Sequence, residues 1–337
     1  MRFETIPLDE VDWAALDALD DRTFCQRRAW LSFIAHTQGG RIHVSRLIDR
    51  GSTVGYFTGV STRRFGARIM GSPFPGWTTP YLGFNLIDGV SRRDAVTAVL
   101  PHVFGDLGCL HLELADPRLI RTDVRGLGFE THSGTTFETD LAQDEETLFG
   151  RMDPSTRRAI RKAEKSGVVV EIAAADGFAD EYYTHLRDVF AKQDLTPTYG
   201  LERVVRLIED VHPTGDLLLL RARDPDGRSI ATGVFPGFNG LSYFWGNGSL
   251  RESQILRPNE AIHWTALRTW RSRGSRVHNW GGGGDYKEKY GGARAETLHF
   301  RVSRFAAIGV AREVARRAYY FPRAVRRRQH LRRIGRA

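Results

Sequence analysis

Four consecutive glycines, Gly281 to Gly284, are followed at once by three side chains that can do chemistry. Asp285 brings a carboxylate, Tyr286 a phenol and Lys287 a cation, and the glycines before them permit backbone conformations and close approaches that a side chain would forbid. A fixed cation at such a turn can stabilise an oxyanion, and a nearby carboxylate can accept a proton. On these residues alone, an ordinary surface lysine fits the pattern equally well.

The segment before the glycines predicts a helix followed by a buried strand. Asn259 is the expected N-cap, because its side chain can accept a hydrogen bond from the free N–H groups of the first turn, and Glu260 suits the positive end of the helix dipole. Gly274 should end the helix, and residues 276–280 should form the strand. Together with Arg257, the bare N–H groups at this helix start predict a phosphate site.

A second predicted helix, residues 153–167, is strongly basic. An aspartate and a proline start it, and a glycine ends it. Five basic side chains follow its surface: Arg157, Arg161 and Lys165 share one face, and Arg158 and Lys162 flank them. Such a face is usually solvated, but the guanidinium fork of arginine also suits phosphate, so both interpretations stay open.

Composition and cysteine content exclude several classes of protein. The chain has 337 residues, of which 41% are hydrophobic and 26% charged, and this is typical of a soluble protein with room for two domains. Cys25 and Cys109 are the only cysteines and lie far apart, so neither a disulfide framework nor a metal-ligand spacing is present. No apolar run approaches the ~20 residues that cross a bilayer, and the N-terminus is too acidic for a signal peptide. We therefore expect a cytoplasmic protein that uses no metal.

Motifs of other enzyme classes are missing from the sequence. No P-loop pattern, no G-x-G-x-x-G after a strand, no G-x-S-x-G and no zinc motif is present. Kinase, dehydrogenase and serine hydrolase interpretations therefore have no support. His263 lies on a helix rich in aromatic residues and His278 in a buried strand, so both are expected in the core, whereas Lys289 is expected to face solvent.

The positive charge is concentrated in a C-terminal tail. Residues 311–337 contain ten arginines and one acid, Glu313, which gives +9, whereas the other 310 residues carry 39 basic and 39 acidic groups. The body is therefore neutral. Residues 306–321 can form an amphipathic helix, and the arginines could bind tRNA phosphates or the headgroups of an anionic membrane surface. A basic, partly disordered end that only aids solubility is the alternative.

Helices and strands alternate as in an α/β protein, and the pattern occurs twice. In the first half, the Gly- and Pro-rich residues 63–83 are expected to form a loop or binding segment rather than a regular element. From Thr136 the pattern starts again, so we place a domain boundary between residues 135 and 136. The second half ends in an antiparallel meander, a crossover helix and a parallel strand: residues 217–223, 230–235 and 241–246, a helix from 259, and 276–280.

This order of elements resembles the core of the GNAT acyltransferase fold, and two segments resemble its FemAB-like branch, the peptidoglycan-bridge aminoacyltransferases and their acetyltransferase-like relatives. The segments are the basic helix RRAIRKAEKSGV and the ending WGGGGDYKEKYGG, which is similar to an aromatic-Lys-x-x-aromatic-Gly signature. The match extends from Thr136 to Arg301, and RRAW and TPYLG in the first half resemble the branch loosely. The resemblance implies tandem GNAT-like α/β domains at 1–135 and 136–310, each with a mixed, mostly antiparallel sheet flanked by helices, and a basic helical tail at 311–337.

The resemblance also implies roles for individual residues. The family's lysine falls on Lys287, and Asp285 is the best nearby candidate for a base, although many enzymes of this fold need none. Arg257, Asn259 and Glu260 would bind the phosphates of the donor. The expected substrate-binding residues are Arg157 or Arg161, Tyr286, Trp30 of RRAW and Tyr81 of TPYLG.

The resemblance implies an N-acyltransferase in which an amine attacks an activated acyl carbonyl directly. Acyl-CoA is the favoured donor because the body is neutral, whereas tRNA would require positive charge over the body. The alternative donor is an aminoacyl-tRNA, since RESQILRPNEA lacks the glycines of the usual phosphate loop. The acceptor would be the amine of a small molecule or a cell-wall precursor. A third hypothesis is a non-catalytic module that binds nucleic acid or a membrane surface, and the tail leaves peripheral membrane association open.

Overall fold

The structure, a computed structural model, describes residues 1–64, 66–191 and 195–310, together with Arg312 and Val314. Fourteen strands lie within these residues: β1 Arg2–Ile6, β2 Arg41–Asp49, β3 Ser52–Arg64, β4 Ala67–Ser72, β5 Gly83–Leu86, β6 His111–Leu114, β7 Glu130–Asp140, β8 Val169–Ile172, β9 Leu217–Arg223, β10 Ser229–Phe238, β11 Leu241–Tyr243, β12 Gly246–Ser249, β13 Val277–Asn279 and β14 Ala293–Ser303. Eight α-helices accompany them: α1 Trp13–Asp17, α2 Arg28–Gln38, α3 Arg92–Pro101, α4 Glu145–Arg151, α5 Pro154–Lys165, α6 Phe178–Ala191, α7 Leu201–Val211 and α8 Pro258–Ser272.

The strands form one mixed sheet that is mostly antiparallel, which confirms the predicted fold class. Its order is β1-β2-β3-β4-β6-β14-β7-β13-β11-β10-β9-β8, with β5 paired to β3 and β12 to β10. The two parallel pairs among the described strands are β4 with β6 and β11 with β13. Each parallel pair is joined by a connection that contains a helix, α3 or α8, as parallel pairing requires.

Strands β7 and β14 lie in the middle of the sheet and connect its two halves. Strand β14 pairs with β7 from Ala293 opposite Glu138 to Arg301 opposite Glu130, and its other edge pairs with β6 of the first half. The last described strand therefore lies between elements that come much earlier in the chain. The expected boundary between residues 135 and 136 falls inside β7, and the division into two domains stays a prediction.

Helix α8 packs on β9 and β10 through its apolar face, as its residue spacing predicts. Ile262, Ala266 and Trp270 are buried in one core cluster, and the Trp270 indole N–H donates to the carbonyl of Phe235 at 3.2 Å. Gly237 of β10 leaves room for this indole, because a Cβ at Gly237 would lie 2.8 Å from it. The crossover helix is thus held at a fixed depth on the sheet.

Two sequence-based predictions of strands are wrong. Residues 63–83 were expected to contain no regular element, yet β4 lies inside them, because Ala67 to Gly71 pair with β3 and Met70 to Ser72, which are buried, pair with β6. Residues 241–246 were expected to form one strand, but β11 ends at Tyr243 and β12 begins at Gly246. The break occurs where the pairing changes: β11 lies between β10 and β13 and pairs with both, whereas β12 pairs with β10.

Part of the tail prediction lies outside the described residues. The expected amphipathic helix, residues 306–321, and the arginine-rich residues 311–337 are described only up to residue 310 and at Arg312 and Val314. No helix in the described part of the chain is long and apolar enough to span a bilayer.

Replacing Gly248 of β12 by alanine is expected to destabilise the fold. The new Cβ would lie 2.6 Å from the main-chain nitrogen of Leu186 and 2.7 Å from the carbonyl carbon of His185. The backbone of α6 cannot move away from it without a cost in free energy. Overpacking of this kind costs about 1–3 kcal/mol of unfolding free energy, which urea denaturation measures. The control is Gly150→Ala in α4, where the Cβ meets open space; it should be neutral or stabilising by up to about 1 kcal/mol.

Candidate active site

The parallel strands β11 and β13 separate in the middle of the second half. They pair from Leu241 opposite Val277 to Tyr243 opposite Asn279, and one further hydrogen bond runs from the Phe244 N–H to the Asn279 carbonyl at 2.9 Å. Beyond that point the chain after β11 continues as β12 on β10, and the chain after β13 enters the glycine turn. The two chain segments therefore diverge here, and we call the region between them the wedge.

Lys287 closes the glycine turn from a short 3-10 helix, Asp285–Tyr290. Its side chain is buried, and Nζ donates to the carbonyls of Trp280 at 2.6 Å and Gly282 at 3.0 Å. A longer contact of 3.4 Å reaches the carbonyl of Gly281, and the ammonium lies 5.1 Å from the centre of the Phe244 ring. The cation is therefore fixed at the mouth of the wedge, and one of its three N–H groups is held only weakly.

Burial lowers the pKa of Lys287 to about 8. A lysine with this pKa is mostly charged at neutral pH and becomes neutral as the pH rises through about 8. The side chain can therefore serve as a cation under ordinary conditions, and its charge is more sensitive to mild alkali than that of a surface lysine.

Asn279 clamps the start of the glycine turn. Its Oδ1 accepts from the N–H of Gly281 at 2.8 Å and from the Thr136 hydroxyl at 2.9 Å, and its Nδ2 donates to Glu138 Oε1 at 2.8 Å. Gly281 has a φ of +68°, and a Cβ there would lie 2.7 Å from the Tyr243 hydroxyl. Glycine is therefore required at this position, whereas no motif in the sequence marks Asn279 or Glu138 as part of the site.

The first half of the chain reaches this clamp through Tyr81. Its hydroxyl lies 3.3 Å from Nδ2 of Asn279, and burial, with a further contribution from Glu138, raises the pKa of the phenol. Trp30 behaves differently, because it is fully buried and its indole N–H donates to Thr79 at 3.1 Å. Tyr81 therefore adjoins the candidate site, whereas Trp30 has no surface to offer a substrate.

Asp285 and Tyr286, the two residues before the lysine, are exposed. Tyr286 is 55% exposed, and the centre of its ring lies 6.0 Å from the Lys287 ammonium. Asp285 lies on the surface of the same short helix. Both side chains are accessible to a ligand that occupies the wedge.

Helix α8 begins two residues earlier than the predicted N-cap, Asn259, would place it. Pro258 takes the first helical position and Arg257 precedes it with a left-handed φ of +61°, so Asn259 is not the N-cap. A proline at this position is already constrained to a helical φ, which is a signal that sequence analysis overlooked. The Asn259 side chain instead accepts from Asn247 at 2.9 Å and donates to Ser249 at 3.0 Å, so it fixes α8 to β12.

A cavity of about 320 Å³, here called the basic cavity, lies between α5 and the start of α8. Four of its lining side chains are cationic and one is anionic, so their formal charge is +3: Arg158, Lys162, Arg257, Lys289 and Glu260. Glu260 pairs with Lys289 at 2.9 Å, which corrects the expectation that Lys289 faces solvent. Thr156 also lines the cavity, and its buried hydroxyl has no hydrogen-bond partner among the described residues. This combination is suited to an anion.

The sequence suggested Arg157 or Arg161 of the basic helix as ligand-binding residues, but the structure places a different pair at this cavity. Arg157 donates to the carbonyl of Gly150 at 2.7 Å, and the guanidinium of Arg161 lies 5.2 Å from the centre of the Phe149 ring. Neither of them lines the cavity, whereas Arg158 and Lys162 do. Helical periodicity could identify both pairs but not which pair faces α8.

Both histidines of the segment belong to the core, as expected. His263 is packed against Phe244, Trp280 and Tyr290, and burial holds its pKa well below the ordinary value. His278 is bonded to the Ser242 hydroxyl at 2.9 Å, and burial lowers its pKa to about 3. Both rings are therefore neutral at physiological pH.

Comparisons with known proteins agree with this geometry. Residues 151–290 match the family model described as an acetyltransferase (GNAT) domain. The fold is similar to the crystal structure of FemX, with a TM-score of 0.74 and 13% identity over 90% of this chain and 97% of that one. A search of curated proteins by sequence found no significant match.

Two further structures share the fold. A tandem GNAT protein from the clavulanic acid biosynthesis pathway aligns with a TM-score of 0.51 and 13% identity over 90% of this chain and 98% of that one. L-PGS from Bacillus licheniformis aligns with a TM-score of 0.53 and 12% identity over 85% of this chain and 91% of that one. At such identities the likeness establishes the fold alone.

Residues 151–290 of this chain therefore form a GNAT-type acyltransferase domain, and the chain as a whole has the fold of the solved structures above. Its overall architecture is similar to that of FemX, which agrees with the resemblance of the glycine–lysine ending and the basic helix to the FemAB-like branch.

Changing Asn279 to aspartate is expected to break the clamp. The new, buried carboxylate would face the half-buried Glu138 in place of a 2.8 Å hydrogen bond, and two carboxylates this close do not both stay ionised without a large free-energy cost. Unfolding in urea at pH 7 should show a loss of roughly 3 kcal/mol or more. The loss should shrink as the pH falls towards 4, because uptake of one proton removes the repulsion.

The companion change Glu138→Gln tests the reason for this loss. An amide at position 138 can donate to the new carboxylate, so the double variant should recover most of the lost stability. If Asn279→Asp is as stable as the wild type, or if the double variant is no better than the single one, the clamp does not stabilise the turn as described.

Proposed function

We propose that the protein is an N-acyltransferase in which an amine attacks the carbonyl of an activated acyl donor directly. One observation carries the proposal: a single 3-10 helix, Asp285–Tyr290, delivers Lys287 to the glycine turn and Lys289 to the basic cavity. A donor whose phosphates occupy the basic cavity could therefore extend its acyl group along the wedge towards Lys287. The family match and the overall fold support this arrangement.

In the proposed step, the amine nitrogen forms a bond to the acyl carbon, and the carbonyl oxygen takes up negative charge. Lys287, with its weakly held third N–H, stabilises this oxyanion. Collapse of the intermediate breaks the bond to the leaving group, which departs as the thiolate of coenzyme A or as a ribose oxygen of tRNA that takes up a proton from water. The amine loses a proton to water or to a carboxylate.

Two carboxylates could accept that proton. Asp285 is exposed beside the lysine, and Glu138 is linked to Gly281 through the two ends of the Asn279 amide, each at 2.8 Å. We propose the side of Tyr81 and Glu138 as the place of the acceptor amine, because loop residues of the first half meet the glycine turn there. Comparison of Asp285→Asn with Glu138→Gln in pH–rate profiles would assign the base.

The donor is proposed as an acyl-CoA, because the basic cavity, with a volume of about 320 Å³ and a formal charge of +3, fits a few phosphates rather than an extended polyanion. An aminoacyl-tRNA is a second candidate, favoured by one observation. Before α8 the chain has a 3-10 turn, Glu252–Leu256, and a left-handed arginine where coenzyme A enzymes of this fold have a glycine-rich loop. The acceptor is the amine of a small molecule or cell-wall precursor.

Replacing Lys287 by methionine is expected to lower kcat by about 100-fold or more, as for removal of one oxyanion donor. In the wild type, kcat should also fall as the pH rises through about 8, because the lysine loses its charge there. Lys287→Arg should retain part of the activity and lack this alkaline fall, since arginine stays charged. Steady-state rates between pH 6 and 10 measure both effects.

The exposed Lys165 on α5 provides the control for this series, because its change to methionine removes a positive charge away from the wedge. Unfolding in urea should accompany each rate. A Lys287→Met enzyme that loses stability but retains its rate and its pH profile would show that the lysine only stabilises the glycine turn and takes no part in catalysis.

Removing positive charge from the basic cavity is expected to weaken donor binding. Arg158→Ser and Lys162→Ser should each raise the KM for the donor roughly tenfold, because a charge-assisted hydrogen bond is lost, and should leave kcat nearly unchanged. Lys165→Ser, one turn further along α5 and outside the cavity, is the matched control. The measurement uses acetyl-CoA and an aminoacyl-tRNA as alternative donors.

The same experiment separates the functional hypotheses. Turnover with acetyl-CoA should survive removal of residues 311–337, whereas tRNA-dependent turnover should weaken and become more sensitive to salt. If neither donor supports turnover or stabilises the protein against heat, and removal of the tail abolishes binding of RNA or anionic vesicles, the protein is a binding module and the proposed function is wrong.

A further inference from the structure

A second strongly basic cavity lies in the first half of the chain, far from the wedge. It has a volume of about 370 Å³ and lies between the C-terminal end of α2 and strands β2, β3 and β4. Four arginines line it, and we call it the arginine cavity: Arg41, Arg63, Arg64 and Arg68, with His43 and Ser61 among the other lining residues.

Strand register brings three of these arginines to one face of the sheet. Arg41 is opposite Ser61 in the β2–β3 pair, and Arg63 is opposite Arg68 in the β3–β4 pair. Directly opposed residues of antiparallel strands project to the same side, as do residues two apart on one strand. Arg41, Arg63 and Arg68 therefore converge across three adjacent strands.

The arginine cavity contains no compensating carboxylate. None of the residues that line it is acidic, and Arg41, Arg63 and Arg64 form no ion pair within the described part of the chain. Arg68 donates to the carbonyl of Leu107 at 2.8 Å, which fixes the guanidinium without neutralising it. Like charges directly opposite one another destabilise a strand pair, and a bound anion would remove that repulsion.

The base of the arginine cavity is polar and buried. His43 Nε2 lies 2.8 Å from the Ser61 hydroxyl, and both side chains are largely excluded from solvent, as is Thr62. Burial, followed by the charges of Arg41 and Arg68, lowers the pKa of His43 to about 4. The imidazole is therefore neutral at physiological pH and can exchange hydrogen bonds with a ligand without adding charge.

We propose that the arginine cavity is a binding site for the phosphate or diphosphate group of a small molecule. Guanidinium groups that converge from three strands match the oxygens of such a group with paired hydrogen bonds. A nucleic acid is the less suitable ligand, because it requires a stripe of positive charge and the chain outside the tail is neutral overall. The ligand is distinct from the acyl donor of the proposed function.

The position of the cavity in the sheet supports this separation. Four strand-to-strand steps lead from β4 through β6, β14 and β7 to β13, which precedes the glycine turn. At about 4.8 Å a step, the two places are roughly 19 Å apart. Such a distance exceeds the length of a diphosphate, so one such group cannot reach from the arginine cavity to the glycine turn.

The test measures binding of inorganic pyrophosphate to the full chain by isothermal titration calorimetry and by thermal unfolding. The variants are Arg63→Glu and the pair Arg41→Ser with Arg63→Ser. The matched control removes two charges elsewhere, with Arg187→Ser on α6 and Arg206→Ser on α7. Every protein retains the arginine-rich tail, so a difference between variants reports on the arginine cavity alone.

We expect pyrophosphate to stabilise the wild type and the control equally, with an affinity that falls as NaCl rises from 50 to 200 mM. Both arginine-cavity variants should bind at least tenfold more weakly. Without pyrophosphate, Arg63→Glu should unfold at the same temperature as the wild type or higher, because the new carboxylate faces Arg68. If Arg63→Glu is destabilised, the serine pair, which introduces no new charge, decides the result.

Three results would overturn the proposal. Equal pyrophosphate binding by the wild type and the arginine-cavity variants would assign the anion to the tail or the basic cavity. Absence of measurable binding to the wild type at millimolar pyrophosphate would show that the arginine cavity is not a phosphate-binding site. Binding of a short RNA that the variants lose and that pyrophosphate does not compete with would identify a nucleic-acid surface instead.

Discussion

A buried ammonium held by main-chain carbonyls is the interaction on which the candidate site depends. Lys287 donates to Trp280 and Gly282, and the aromatic rings of Trp280 and Tyr290 stack 4.6 Å apart at the two ends of the loop that contains it. The positions of the lysine, the aromatic stack and the glycines therefore depend on one another. Without the cation, the carbonyls of Trp280, Gly281 and Gly282 would have no common partner among the described side chains.

The same short helix couples the turn to the basic cavity by rigid contacts. The carbonyl of Lys289 accepts from the main chain of Asp153 at 2.9 Å, where α5 begins, and its ammonium pairs with Glu260 in the first turn of α8. The starts of two helices are thus tied to one segment of six residues. A displacement of either helix would move the glycine turn, so donor binding and oxyanion stabilisation are mechanically linked in the proposed function.

Sequence patterns could identify most elements of the second half, but not all of their geometry. The apolar spacing from Ile262 to Trp270 predicted α8 and its buried face, and the glycine–lysine ending predicted the turn. Strand β12 was missed because Gly246 and Gly248 give no hydrophobic alternation; they are glycines so that α6 can pack against the strand. Local patterns do not contain this information, since the constraint comes from a helix more than 50 residues away in the chain.

The charged residues show a different limit of prediction from sequence patterns. Helix α5 buries Ala159, Ile160 and Ala163, and this stripe places Arg158 and Lys162 on one side and Arg157 and Arg161 on the other. Which of the two sides lines the basic cavity depends on where α8 begins, and this is set by the tertiary structure rather than by the local sequence. In the first half, Arg63 and Arg68 look like the charged ends of a hairpin, and their convergence with Arg41 becomes visible only when the register of three strands is known.

The two proposed anion sites are compatible with a neutral body because its charges are balanced globally but not locally. The arginine cavity and the glycine turn are roughly 19 Å apart by strand spacing, whereas charges are screened over about 8 Å at physiological ionic strength. An anion in one place therefore has little electrostatic influence on the other. Coupling between the two would have to pass through the packed strands β6, β14 and β7, and in particular through β14, which pairs with both halves of the sheet.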